Sequence, residues 1–394
     1  MLKYLARALL LLPVLLYPFA SDARASDATR QAQLNATVNA TIPPLMKKYG
    51  IPGMAVAVTI DGGHFFFNFG VQSKKSQKPV TETTLFEIGS VSKTFTAALA
   101  AFAQALGQIS LTESVSAAMP SLSESAFDRI RMLDLAIHTS GGLPLQVPDS
   151  VANDEQLLDY FKTWEPPFAA GMRRNYSNMS VGLLGLATTQ SLNEDFVQAV
   201  AAHLFVPLGL THTYYDVPES ALGDCAQGYN NNNAPVRMRS GPLAAEAYGV
   251  KSCTRDLLRW LEANMGLPEL DAPLQQALNL THTGYVAYGD IIQGLVWEQY
   301  RLPTTLRQLL EGNAIETILG NAKAEQVLPP LIPEDAVLLN KTGSTSGFGA
   351  YVLFIPARKT GIVLLANKNY PNEARVSAAW RILTALHAHG LAGK

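Results

Sequence analysis

Apolar and polar positions alternate along the chain in three distinct rhythms. Residues 28–48 carry spaced apolar positions and run into Gly50-Ile51-Pro52, which predicts a helix with a glycine stop. Residues 54–60 and 64–69 are β-rich runs joined by Asp61-Gly62-Gly63, a hairpin signature. Residues 92–106 hold Ala, Phe and Leu with few charges and no Pro, and predict a buried helix. The long middle section shows short helical patterns broken by Pro and Gly, and Asn230 to Asn233 with Pro235 marks a polar loop. Near the C-terminus, 336–339, 347–355 and 361–366 read as three adjacent strands. The last two are joined by a turn over 356–361, and 374–386 closes the chain as an amphipathic helix. Strands at both ends with helices between them predict an α/β fold. One mixed antiparallel sheet is built from 26–105 and 235–394, with a mainly helical region inserted at 106–234.

The first residues break this pattern. Lys3 and Arg7 precede an apolar block over 8–20 that is too short to span a bilayer, and Ala23-Arg24-Ala25 supplies small residues for cleavage. Residues 1–25 are read as a secretory signal peptide cut after Ala25, giving a soluble periplasmic protein with no membrane segment in its mature form. No cysteine follows the cut, which disfavours a lipoprotein. The whole chain of 394 residues has 30 basic and 32 acidic side chains, and removing the signal moves its formal charge from −2 to −4. A near-neutral chain without a basic run gives no reason to expect nucleic acid. Two cysteines, Cys225 and Cys253, make no metal-spaced cluster, so neither metal nor cofactor is expected. In an oxidising compartment the reading favours a disulfide between them, stiffening the base of a loop, over two buried thiols.

Three short motifs carry candidate chemistry. Ser90 and Lys93 lie three apart at the start of the buried helix, on one side of its first turn. A serine hydroxyl needs a base, and a lysine can serve if burial lowers its pKa. The bland alternative is a serine cap beside a solvated lysine. Tyr176-Ser177-Asn178 sits in a loop feeding an apolar helical run. There a tyrosine near lysines can shuttle protons, and Asn178 can orient a carbonyl. Lys341-Thr342-Gly343 ends a predicted strand, with small Gly343 admitting a substrate against its edge. The tripeptide recurs at Lys359-Thr360-Gly361, inside the predicted turn, where lysine is solvated and glycine serves the backbone. No Gly-x-Ser-x-Gly elbow, phosphate loop or His-Glu-x-x-His occurs.

Ser-x-x-Lys, Tyr-Ser-Asn and Lys-Thr-Gly in this order after a signal peptide resemble the penicillin-recognising serine enzymes, and Tyr176-Ser177-Asn178 resembles the class C (AmpC-type) β-lactamases in particular. The likeness extends over His138 to Gln146, Glu246 to Val250, Asn340 to Ser344 and Ala366 to Asn372. It implies a β-lactamase/penicillin-binding-protein-like fold and hydrolysis of cephalosporins and penicillins through a serine acyl-enzyme. By the resemblance, Ser90 is the nucleophile, and Lys93 and Tyr176 share the acid–base work. Gln146 and Asn178 hold the side-chain amide, and Tyr248 packs on the acyl side chain. Lys341 and Thr342 face the substrate carboxylate with Asn372 and Arg375 nearby, and the N–H groups of Ser90 and Ser344 form the oxyanion hole. A small-molecule β-lactam is the expected partner, and a monomer the expected state. A D,D-peptidase or carboxylic ester hydrolase on the same fold is the nearest alternative. A non-catalytic β-lactam sensor is the alternative of a different class.

Overall fold

A two-residue turn at Asp61 and Gly62, both with positive φ (51° and 80°), joins strand β1 (Gly53–Ile60) to β2 (Gly63–Gly70) and sets Ile60 opposite Gly63. This is the turn that Asp-Gly predicts, because its twist matches that of the paired strands. The structure, a computed structural model, describes residues 20–332 and 337–388, with side chains from 29 to 386. Most of the expected signal segment, up to residue 19, lies outside the described residues. Helix α1 (Ala20–Tyr49) is longer than the expected 28–48 and contains Pro43 and Pro44.

The central sheet has nine strands. After the first hairpin come β3 (Gly284–Tyr288), β4 (Ile291–Gln293), β5 (Glu298–Arg301), β6 (Glu325–Leu331), β7 (Val337–Ser344), β8 (Gly349–Ile355) and β9 (Thr360–Ala366). Their spatial order is β6-β3-β4-β5-β7-β8-β9-β1-β2, and every pairing within the sheet is antiparallel. The two ends of the chain therefore meet where β9 pairs with β1, one strand in from the β2 edge, and residues 71–283 contribute no strand to this sheet among the described residues.

Both faces of the central strands are covered. Along β1, Ala55 and Ala57 join one apolar cluster, while Met54, Val56, Val58 and Ile60 join another. That alternation follows from the two-residue period of a strand. On the second face lie α1 and the C-terminal helix α7 (Asn372–Ala388), through Leu34, Val38, Ile42, Val376 and Ile382. On the first face lie α2 (Lys93–Ala105), α3 (Asn178–Leu192), α5 (Thr254–Asn264) and α6 (Ala272–Thr281), with the short α4 (Ala244–Tyr248) beside α2 and α3. Residues 93–103 of α2 are all buried, which explains why its sequence is apolar on every side.

The expected disulfide is absent: Cys225 and Cys253 are both free thiols. Leu85 stands between them. It bridges Cys225 in parallel on one side, and on the other the pairing of Phe86 with Ser252 sets Leu85 beside Cys253. Two strand spacings separate the cysteines by roughly 10 Å, beyond the span of about 4.4–6.8 Å that a disulfide bridges. They pack as apolar residues in one small cluster with Leu85 and Ala221, and burial pushes both thiols up in pKa.

Candidate active site

The three motifs meet on the first face of the sheet. Ser90 lies in a 3-10 turn (Gly89–Ser92) that immediately precedes α2, one step ahead of the helix that the sequence predicted for it. Gly89 makes that turn possible. It has φ +53°, and a Cβ there would lie 2.6 Å from the Ser344 nitrogen. Across the gap, a Cβ on Gly343 would fall 2.0 Å from the Ile88 carbonyl oxygen. The nucleophile turn and β7 thus touch backbone to backbone. They can do so because β5 pairs only with 337–340 of β7, which leaves 341–344 without a strand on that side. Lys341-Thr342-Gly343 accordingly fills the closing half of a central strand, with only Ser344 after it.

Lys93 is fully buried, and its Nζ donates to Ser90 Oγ at 3.0 Å and to the Ala247 carbonyl at 2.7 Å. Burial lowers its pKa to about 8, with the Tyr176 phenol opposing and Lys341 adding to that shift. Tyr176 is held between cations. Lys93 Nζ and Lys341 Nζ lie 5.2 Å and 5.3 Å from its ring centre, and the Arg174 guanidinium lies at 5.3 Å. Burial alone would raise the phenol. The charges of Lys341 and Lys93, with hydrogen bonds to Ser90 and Lys93, overcome it and bring the pKa down to about 8. Lysine and tyrosine are therefore both near the working range of a proton shuttle, and they titrate as one unit.

Tyr176 is placed by its neighbours in sequence. Ser177 caps α3 by accepting from the Ser180 N–H at 3.0 Å, and its own hydroxyl donates to the Pro144 carbonyl at 2.6 Å. The Asn178 N–H donates to the Leu145 carbonyl at 2.9 Å, while Asn178 Oδ1 is buried without a partner. An orphaned buried acceptor beside the cleft suits a substrate N–H.

Several groups behind the motifs carried no sequence signal of their own. Glu298 on β5 is buried and lies 3.8 Å from Lys341 Nζ and 3.5 Å from Arg174 Nη2. Its carbonyl accepts from Asn340 Nδ2 at 3.0 Å. Arg174 also donates to the Ile318 and Thr317 carbonyls. Two buried cations share one carboxylate beneath the tyrosine, which offsets one of the two positive charges. His138, inside a stretch that the sequence singled out without assigning it a role, packs its ring at a tilt with its centre 4.4 Å from that of Tyr176 and accepts from the Ser177 N–H. Burial, with Arg174, Lys93 and Lys341 nearby, holds its pKa well below the usual value, so the ring is neutral.

Ser90 opens into a cleft of about 620 Å³ whose walls include Gln146, Asn178, Tyr248 and Ser344. A second opening of about 800 Å³ shares Ser344 and Asn369 with it and is bounded by Asn372 and Arg375. Asn372 Nδ2 donates to the Asn313 carbonyl at 3.1 Å. Arg375 is fully buried, and its guanidinium donates to the Gly343 carbonyl (2.7 Å), Ser344 Oγ (3.0 Å), Asn369 Oδ1 and the Tyr370 carbonyl. It braces the end of β7. Thr342 and Ser344 occupy the strand face opposite Lys341, as the two-residue period requires. The second Lys-Thr-Gly is elsewhere: Lys359 has φ +44° in the turn before β9.

Among the described residues no group of three or more His, Cys, Asp or Glu side chains could hold a metal ion, and no helix is long and apolar enough to cross a membrane. Comparison with known proteins bears on the chemistry. A family model described as β-lactamase matches residues 38–387. A β-lactamase of Pseudomonas fluorescens is 45% identical over 353 residues, covering 90% of this chain and 99% of that protein. A crystal structure from Pseudomonas syringae, described as a β-lactamase/D-alanine carboxypeptidase, superposes with a TM-score of 0.88 at 49% identity, over 89% of this chain and 98% of that one. A class C β-lactamase solved with cefoxitin superposes with a TM-score of 0.88 at 46% identity, over 91% and 100% of the two chains.

Proposed function

The chain belongs to the β-lactamase family, and from that premise we infer that it is a class C serine β-lactamase opening the lactam ring of cephalosporins and penicillins by way of an acyl-enzyme on Ser90. The observation that carries this reading is the contact of Lys93 Nζ with Ser90 Oγ at 3.0 Å in a buried site, with Tyr176 between two lysines.

In this reading the lactam carbonyl oxygen enters the N–H groups of Ser90 and Ser344. One such donor is typically worth roughly 3 kcal/mol of transition-state stabilisation. Ser90 Oγ attacks the carbonyl carbon, and its proton passes to the Lys93–Tyr176 pair. Collapse of the oxyanion breaks the carbon–nitrogen bond, and the same proton goes to the departing lactam nitrogen. Water then attacks the ester carbonyl, gives its proton to the pair, and releases a carboxylic acid and the Ser90 hydroxyl. Glu298 and Arg174 are positioning residues: Glu298 holds Lys341, and Arg174 holds Glu298. His138 supports the tyrosine ring without adding charge. Gln146, Asn178 and Tyr248 hold the acyl side chain, while Lys341 faces the ring carboxylate, with Thr342 on the other face of the strand and Asn372 nearby. Arg375 acts through the backbone of β7. The N-terminal pattern supports export to the periplasm with cleavage after Ala25, and the mature protein is read as a monomer.

A second reading has a specific basis, because the Pseudomonas syringae relative is described as both lactamase and D-alanine carboxypeptidase. The two separate in an assay that gives the purified protein a chromogenic cephalosporin and an acyl-D-Ala-D-Ala peptide side by side. Rapid turnover of the cephalosporin, absent in Ser90→Ala, is the expected result. Turnover of the peptide with a stalled, long-lived cephalosporin adduct would establish the carboxypeptidase in its place.

A further inference from the structure

Beyond the amide-holding residues, the cleft ends on a short piece of loop, Val236 to Arg239, whose side chains complete its wall with Thr345 and Ser346. The backbone of this piece is laced down on both sides of Arg237. The Val236 carbonyl accepts from Gln227 Nε2 at 3.2 Å, and the Met238 N–H donates to both oxygens of Glu87 at 3.0 and 3.2 Å. Thr345 Oγ1 donates to Glu87 Oε2 at 2.7 Å, which ties the loop to the residue after Ser344. Two arginines, Arg237 and Arg239, thus flank an anchored residue at the mouth of the cleft. Both are exposed, and the charge of Arg237 is also felt by Cys225 and Lys251 behind the loop.

No aspartate or glutamate lines this opening. Glu87, the carboxylate that holds the loop, is buried and committed to Met238 and Thr345. The interior already supplies Lys341 for the carboxylate of the lactam nucleus, so the two arginines are surplus to what that single anion needs. Cleft walls also focus the field of charges that would be weak on an open surface.

We propose that Arg237 and Arg239 form a subsite for an acidic acyl side chain, so that the enzyme favours β-lactams carrying a second carboxylate or a sulfonate beyond the side-chain amide. This rests on the lactamase reading above and names the substrate class within it. The contact is made equally in the ground and transition states, so the preference acts on KM more than on kcat.

The test uses a matched pair of penicillins, one with a phenylacetyl side chain and one with an α-carboxyphenylacetyl side chain. The readout is the ratio of their kcat/KM values, dianion over monoanion, in wild type, Arg237→Gln/Arg239→Gln and Arg239→Glu. The double variant is expected to lower the ratio about fivefold through KM, and Arg239→Glu to lower it at least as far as the loss of one arginine does. Raising salt to 1 M, where the screening length is about 3 Å, should bring the wild-type ratio close to that of the double variant. General damage to the fold would depress both substrates alike and leave the ratio readable. A ratio unchanged across the variants, or a change indifferent to salt, would show two solvated surface arginines and overturn the subsite. Hydrolysis of neither penicillin beside rapid turnover of the chromogenic cephalosporin would overturn the subsite alone; turnover of none of the three would overturn the lactamase reading and the subsite with it.

Discussion

The tripeptide Lys-Thr-Gly occurs twice, each time with its Thr-Gly in a strand of the central sheet; only Lys359 of the second copy lies in the expected turn, and the surroundings of the two differ. Lys341 lies in β7, is 1% exposed and sits 5.3 Å from the Tyr176 ring centre with Glu298 behind it. Lys359 sits in the left-handed region in a turn and is exposed. Gly343 admits the Ile88 carbonyl where a Cβ would lie 2.0 Å away, whereas a Cβ on Gly361 would meet only the Leu261 and Thr59 side chains at 3.1 Å. Function here is a property of the surroundings: a strand whose partner stops short, a turn that fills the gap, and a buried row of charges beneath.

The largest expected difference between the copies is in catalysis. Lys341→Ala should lower kcat/KM by about 100- to 1,000-fold in steady-state assays, since it removes a fixed cation from a dry site. Lys359→Ala should leave the rate unchanged. Lys341 also lowers the pKa of both Tyr176 and Lys93. Its loss raises both, so the pair keeps its proton to higher pH, and the acidic limb of the kcat/KM profile should move upward. A limb that stays in place or moves down would contradict the arrangement. Next come the glycines. Gly343→Ala forces the nucleophile turn away from β7, and a displacement of that kind typically costs about 100-fold in rate. Gly361→Ala should leave the rate alone and cost about 1 kcal/mol of stability, read by denaturant unfolding. The smallest effect has the opposite sign. Lys359→Gly relieves a left-handed non-glycine residue and should stabilise the fold by about 0.5 kcal/mol, seen as a slightly raised Tm.

Much of this was legible from sequence because local rules dominate where they were used. Asp61-Gly62 dictated its hairpin, the apolar sides of α2 declared a buried helix, and β8 and β9 read as strands because both of their faces are covered. Ser90, Lys93, Tyr176 and Lys341 were recognised as motifs, and the structure brings those four together. What stayed hidden depends on residues far apart in the chain. Glu298 is an unremarkable polar position in a four-residue strand until β7 places Lys341 beside it. His138 has no meaning until Tyr176 packs against it. The disulfide expectation rested on compartment and spacing alone. It failed because Leu85, remote from both cysteines in sequence, runs between them. Arg237 and Arg239 carry no sequence signal, since nothing local reports that Glu87 pins Met238 between them.

The most direct test of the account follows the intact mass of the protein by rapid quench during turnover of a chromogenic cephalosporin, with peptide mapping of any adduct. The expected result is an acyl adduct on Ser90 that forms and decays within the period of hydrolysis, and none in Ser90→Ala. Hydrolysis that proceeds undiminished in Ser90→Ala, or an adduct mapped to any other residue, would contradict it.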